Sequence, residues 1–341
     1  MNRFLVFCGL ISACMLLYSC AAISPQPPAK RQDPLIGKIF DASTGNQVDF
    51  ESLIKKIKAN DVIYLSEKHD NPDQHHIQHR IIEKLVADGL KPCIGFEFFA
   101  MNNTPDILNF IDSGKVKHSE KIQKIIEADL RTKLGWDRQS DTMWQYYYGL
   151  LGIAKKHHLS AAGLDLPETL KRRITRRGID GITPIERQMV YSTGFCDPVY
   201  KKYMISVFRS VHCGMDLGRM QSRLYDTWVA RNDTMALSIT KLFRYSKGPV
   251  IIIIGAGHTE YGLGVIDRVH AINPDIRQLN IGLQEISVKP ADLSQYLEPL
   301  ELEGHTESPP ADFLWFTQRV SYDDPCEKFK KHFRKLKKTG E

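Results

Sequence analysis

The run Val250–Ile254, bounded by Pro249 and by Gly255-Ala256-Gly257, admits few architectures. A strand with one wet face alternates apolar and polar residues. An unbroken β-branched run is buried on both faces, as in a parallel sheet covered by helices. Val62–Leu65, Cys93–Phe98 and Ala161–Leu166 are further short apolar runs, with Asn280–Ile286 a weaker one. Helical patterns follow the early runs. This alternation predicts an α/β fold with a mostly parallel sheet flanked by helices. Between Pro167 and Leu242 the strand signals stop and three segments read as helices. The expected organisation is an α/β core over 51–166 and 243–295, a smaller helical insert over 167–242, and a C-terminal extension over 296–341.

The N-terminal residues point to export. Asn2 and Arg3 precede an apolar run, Phe4–Leu17, too short to span a bilayer comfortably. It ends in Leu17-Tyr18-Ser19-Cys20, a lipobox-like sequence with Cys20 as the lipidation site. Residues 1–19 would be a signal peptide and 20–50 a tether rich in Pro and small residues. Ala21 leans the destination to the outer membrane of a bacterial envelope, facing the periplasm. Four of the seven cysteines lie beyond this leader: Cys93, Cys196, Cys213 and Cys326. They allow three pairings, among which spacing does not choose; Cys93, in an apolar run, reads as a buried thiol.

The net charge of +6 is concentrated at one end. The last fifteen residues carry seven Lys/Arg against two Glu, leaving the body near neutral. Such a body offers no phosphate-binding face, which excludes nucleic acid as a partner. Phe329, Phe333 and Leu336 share a helical face in the tail, read as a solvated terminus in preference to a lipid contact.

Ligands of open parallel sheets bind beyond the carboxyl ends of strands. Four runs deliver polar side chains there: Glu67 and His69, Glu97, Asp165, and His258. Glu67 and His69, two residues apart, share a face if the chain stays extended. A helix then starts at Asn71, a good N-cap, with Pro72 at its first position and Gln74 completing a capping-box-like pattern. Ile77, Ile81, Ile82 and Leu85 form its buried stripe; His75 borders the site, and His76 and His79 read as solvated. Gly255-Ala256-Gly257 is not a dinucleotide loop, because Glu260 occupies the third glycine's place.

These residues resemble a family. "SEKHDNPDQHHIQ", "GFEFF", "LGWD", "GLDLPETLKRRITRRGI" and "GAGHTEYGLGVIDRV" follow the motif order of the ChaN-like haem-binding lipoproteins over residues 60–270 or so. Ser66 stands where the family has glycine, which would loosen a tight turn before Glu67, and Ile266 where proline is common. The wider group includes the erythromycin esterases and Tiki/TraB proteins.

The resemblance implies two functions. The preferred one is haem binding in haem and iron acquisition. It implies a homodimer that holds two haems face to face, with a tyrosine on each iron, basic side chains at the propionates and an outer-membrane haem receptor as a further partner. Tyr191, Tyr200, Tyr203 and Tyr225 lie in the helical insert. Tyr203 is preferred to Tyr200 as the ligand, with Lys201, Lys202 and Arg209 as cations, and His212 and Met215 as alternative ligands. The second is a hydrolase. Glu67, His69, Glu97 and His258 would hold a divalent metal such as zinc or manganese, or act as acid–base groups without one, and Arg231 would stabilise the developing anion.

Overall fold

The computed structural model describes residues 31–116, 119–324 and 326–327. The signal peptide, Cys20 and the basic tail from residue 328 onward lie outside the described residues.

One eight-stranded sheet organises the chain, in the order β2-β1-β8-β7-β3-β6-β4-β5. The strands are β1 (Ile39–Asp41), β2 (Gln47–Val48), β3 (Val62–Glu67), β4 (Cys93–Ala100), β5 (Ala161–Asp165), β6 (Val250–Gly255), β7 (Gln278–Glu285) and β8 (Phe313–Thr317). The six from β8 to β5 run parallel; β1 pairs antiparallel with β8 and β2. All four clear apolar runs are strands, and the weaker one is β7. Two expectations are corrected. The stretch 20–50 is not all tether, since β1 and β2 extend the sheet edge. The C-terminal extension contributes β8, whose five residues are all buried.

Alternation on β6 shows why the run is unbroken. Ile251 and Ile253 enter a core beneath α1 (Phe50–Lys58), α2 (Pro72–Ala87) and α5 (Asp141–His157). Val250, Ile252 and Ile254 enter the opposite core, against α9 (Arg219–Tyr245) and α10 (Val265–Ile272). Both faces being dry, no polar residue fits.

The helical insert comprises α6 (Glu168–Arg177), α7 (Pro184–Arg187), α8 (Pro198–Val211) and the first half of α9, with α3 (Thr104–Asp112), α4 (Glu120–Lys133) and the short α11 (Leu293–Tyr296) elsewhere. Helix α9 runs three residues past the expected end of the insert. Its first half packs on α6 and α8, while Met235, Ala236 and Ile239 pack on the sheet. One rigid rod thus joins insert to core. A disulfide, Cys213–Cys326, ties the turn between α8 and α9 to the C-terminal segment. Cys93 is a buried free thiol whose pKa burial pushes up to about 11; Cys196 is free and exposed.

Candidate functional site

A cleft of about 560 Å³ opens beyond the carboxyl ends of β3, β4, β6 and β7. Glu67, the last residue of β3, is fully enclosed. Its carboxylate accepts from the Tyr147 hydroxyl, the Gln78 amide and, at 3.3 Å, His69 Nδ1. The Tyr147 phenol has its pKa raised, by burial first and then by the Glu67 charge, so it remains a donor. Burial opposes a charge on His69, but the Glu67 hydrogen bond and the charges of Glu97 and Glu67 outweigh it and raise its pKa. With Nδ1 turned to Glu67, the ring lies on the cleft wall with its side chain 42% exposed. That is an imidazole oriented by a carboxylate, the arrangement of a general base.

A second set sits opposite. Glu97 accepts from Arg231 Nη2 at 2.6 Å and the Gly255 amide at 2.6 Å, with His258 Nε2 at 3.2 Å. Burial would raise the Glu97 pKa, yet His258, Arg231 and His69 together hold it well below the usual carboxylate range. Arg231 Nε also reaches Asp165 at 2.9 Å, and Lys171 joins the same oxygen at 2.8 Å. Burial lowers the pKa of His258, which lies 2.5 Å from Asn232 Oδ1 through Nδ1 and stacks on Trp228 at 4.0 Å. Gly255 makes the approach of the two sets feasible, because a Cβ there would stand 2.5 Å from His69 Cε1.

The structure brings four of the five strand-end residues, Glu67, His69, Glu97 and His258, to one cleft, together with Arg231, which the resemblance implied; Asp165 is buried behind Arg231 and does not line it. Several details differ. His75 does not line the cleft: it is buried, stacks on Tyr146 and engages Gln78 Oε1 and His69 O. His76 is exposed, but His79 is half-buried against Gly149 of α5 rather than solvated. Asn71 caps α2, whereas Gln74 closes no capping box; its Oε1 accepts from Lys68 N. Ser66 sits within β3, not in a turn, and its hydroxyl bonds Thr259 and Asn280 at 2.6 Å each. The divalent-metal expectation is also corrected. Among the described residues no three His, Cys, Asp or Glu side chains are grouped to hold a metal, because Arg231 and a backbone amide occupy Glu97 while Tyr147 and Gln78 occupy Glu67. Sequence reasoning did not single out Tyr147, Trp228 or Asn232. Gln78 closes the segment "SEKHDNPDQHHIQ" that carries the resemblance, without an assigned role.

A smaller, apolar slot of about 220 Å³ adjoins the cleft, between α8, α9 and the segment after β6. Trp228, Gly257 and Glu260 line both. Tyr203 is half-buried in the slot wall beside Val207, Phe208 and Val211. Burial pushes its pKa up to about 12. Tyr200 is buried, and its hydroxyl accepts from Trp228 Nε1 at 3.1 Å. The neighbouring cations are not slot residues. Lys201 lies over the Tyr225 ring and, with Tyr191 and Tyr225, lines a separate cavity of about 490 Å³. Lys202 and Arg209 are exposed. His212 Nδ1 contacts Phe208 O at 2.7 Å, and Met215 is exposed.

The family model described as "Haem-binding uptake, Tiki superfamily, ChaN" matches residues 53–269. The chain is similar in fold to the structure titled "Cofacial heme binding to ChaN of Campylobacter jejuni", at 17% identity and a TM-score of 0.59, with 81% of this chain and 95% of that chain covered. A type III effector and an erythromycin esterase mutant in its open conformation each reach a TM-score of 0.40, at 13% and 12% identity, with 78% and 70% of this chain and 92% and 73% of theirs covered. No curated protein matches the sequence.

Proposed function

The chain belongs to the ChaN family of haem-binding uptake proteins in the Tiki superfamily, and from that premise we propose that it carries haem at the slot beside Tyr203. The observation that carries this reading is a half-buried phenol with no hydrogen-bond partner among the described residues, set in an apolar wall. The residues fit the group: a flat apolar macrocycle suits Val207, Phe208 and Trp228, and a phenolate oxygen suits ferric iron. Tyr200 is the weaker ligand, because its hydroxyl is already engaged inside the protein.

Magnitude supports a homodimer. Sites that enclose a small ligand measure roughly 300–1,000 Å³, so a slot of about 220 Å³ would enclose only part of the macrocycle. Val211, 67% exposed at its edge, is apolar surface that a second copy would cover. The leader ending in Cys20 supports a lipid anchor at the outer membrane facing the periplasm, where a haem receptor could be served. The test is titration of the chain from residue 21 with ferric haem. Saturable binding with a phenolate-type visible spectrum and a doubled mass is expected, with Tyr203→Phe losing the spectrum. Binding no stronger than to albumin would refute the reading.

A second reading concerns the cleft. His69, oriented by Glu67 and open to solvent, supports hydrolysis in which His69 takes a proton from water and Arg231 meets the developing anion, without a metal. Screening esters and amides against the protein and its Glu97→Gln variant tests it; equal turnover by the two would remove the cleft from consideration.

A further inference from the structure

The haem reading uses one phenol of the slot, and the slot has two. Tyr261 lies on the segment that leaves β6, lines the same apolar walls as Tyr203 and is likewise half-buried. Neither phenol oxygen has a hydrogen-bond partner among the described residues. Both side chains border one slot of only about 220 Å³, so the two rings face the same small void.

The backbone at Tyr261 is unusual. Its φ is 61°, in the left-handed region, and the neighbouring Gly262 and Gly264 have φ of 72° and 76°. Glycine takes such angles freely, whereas a residue with a side chain is strained there and keeps the conformation only where its surroundings impose it. The surroundings do so here. Thr259 is fully buried, bonded to Ser66 and through its carbonyl to Asn280 Nδ2, and Tyr261 N donates to Pro310 O at 3.1 Å. A segment that needed only to turn would be easier with a glycine at 261. The strain holds a phenol in the slot.

The slot also lacks what a phenolate needs. Lys201, Lys202 and Arg209 are not among its lining residues. An anion in an apolar wall is stabilised either by a nearby charge or by a hydrogen bond donated to it.

We propose that Tyr261 is the second phenol of the iron site: Tyr203 supplies its oxygen to ferric haem, and Tyr261 donates its O–H to that oxygen. This rests on the haem reading of the slot. As the iron–oxygen bond forms, Tyr203 releases its proton to solvent; Tyr261 keeps its own, and no electron is transferred. The pair joins the helical insert, through α8, to the sheet, through the segment after β6, so the bound group is held by both parts.

The experiment compares Tyr203→Phe, Tyr261→Phe and the exposed control Tyr245→Phe, each loaded with ferric haem. Their visible spectra and their rates of haem loss to excess apomyoglobin are measured. Tyr203→Phe should lose the phenolate-to-iron charge-transfer band. Tyr261→Phe should keep the band, shift its position and lose haem at least about ten-fold faster, in line with a hydrogen bond to a charged group. Tyr245→Phe should match the parent. A Tyr261→Phe protein identical to the parent in band and rate would overturn the proposal and leave Tyr203 standing. A parent that binds no haem would overturn both. Loss of the band in Tyr261→Phe alone would move the iron to Tyr261 and overturn the roles assigned here.

Discussion

Residues at the ends of buried strands are held in place because the dry core fixes them before solvent is reached. Glu67 is the clearest case. Replacing it with Gln keeps the shape and removes the charge beside His69 Nδ1. The His69 pKa, raised by that hydrogen bond and by the charges of Glu97 and Glu67, should then move down; histidine ring titration by NMR measures it. The sign also sets a stability effect. A raised imidazole pKa stabilises the fold fully below the ordinary value of about 6.5, and that stabilisation is lost as pH rises through the raised value. In Glu67→Gln it should shrink, which denaturant midpoints at pH 5 and pH 8 would reveal. An unchanged His69 titration would show that the Glu67 contact is geometric only. Glu67, His69, Glu97 and His258 were legible because each follows an apolar run at a strand's carboxyl end. Tyr147, eighty residues away on α5, was not, because only the packing of α5 over α2 brings its hydroxyl to Glu67. Tyr261 carried a signal of a kind, a tyrosine set before glycine in a post-strand loop, but its meaning depends on a backbone angle.

Elements were legible in proportion to how much they bury. β6, β3 and β4 are central and strongly apolar, so composition alone identifies them. β1 and β2 are three and two residues long and lie at an edge, and so short a segment carries no period. β8 is apolar enough, but it comes after a polar, turn-rich stretch that breaks the strand–helix alternation. Helix α2 shows how a local motif acquires a tertiary role. Asn71 Oδ1 caps it, accepting from Asp73 N and Gln74 N, while its Nδ2 donates to Glu285 Oε1 at 2.9 Å and Gln318 O at 2.8 Å. Asn71→Ala should cost about 1 kcal/mol for the cap and a further ~1–3 kcal/mol for the acceptors left without their donor. Asn71→Asp preserves the cap but turns a second carboxylate toward Glu285, so it should destabilise as well. Urea unfolding distinguishes the cases, since a role in capping alone would leave Asn71→Asp close to neutral. The disulfide adds a long-range constraint that sequence left among three pairings. Breaking Cys213–Cys326 with Cys213→Ser should lower stability by roughly 2–4 kcal/mol, and a reductant should then no longer shift the melting temperature.

At the scale of the molecule, α9 connects everything the two readings require. Trp228, Arg231 and Asn232 lie within about one turn of it; the first borders the slot and the cleft, and the other two serve the cleft. The slot is small and its edge apolar, so assembly and ligand are linked quantities. If haem is shared between two copies, the dimer is the state that binds it, and mass action makes the apparent stability of the loaded protein depend on protein concentration. The melting temperature with haem should therefore rise as the protein is concentrated, while that of the haem-free protein stays constant. Val211→Glu places a charge on the 67% exposed edge residue. It should change the haem-free stability by no more than the ±0.5 kcal/mol typical of surface changes, because Val211 is mostly exposed in the single chain. It should abolish the concentration dependence with haem, because a carboxylate would have to be buried unpaired between the copies. Calorimetry at two concentrations, with sedimentation on the same samples, reads both. A concentration-dependent melting temperature that survives Val211→Glu would place the contact between copies on another face, and the slot would then have to hold its haem with one side open to water.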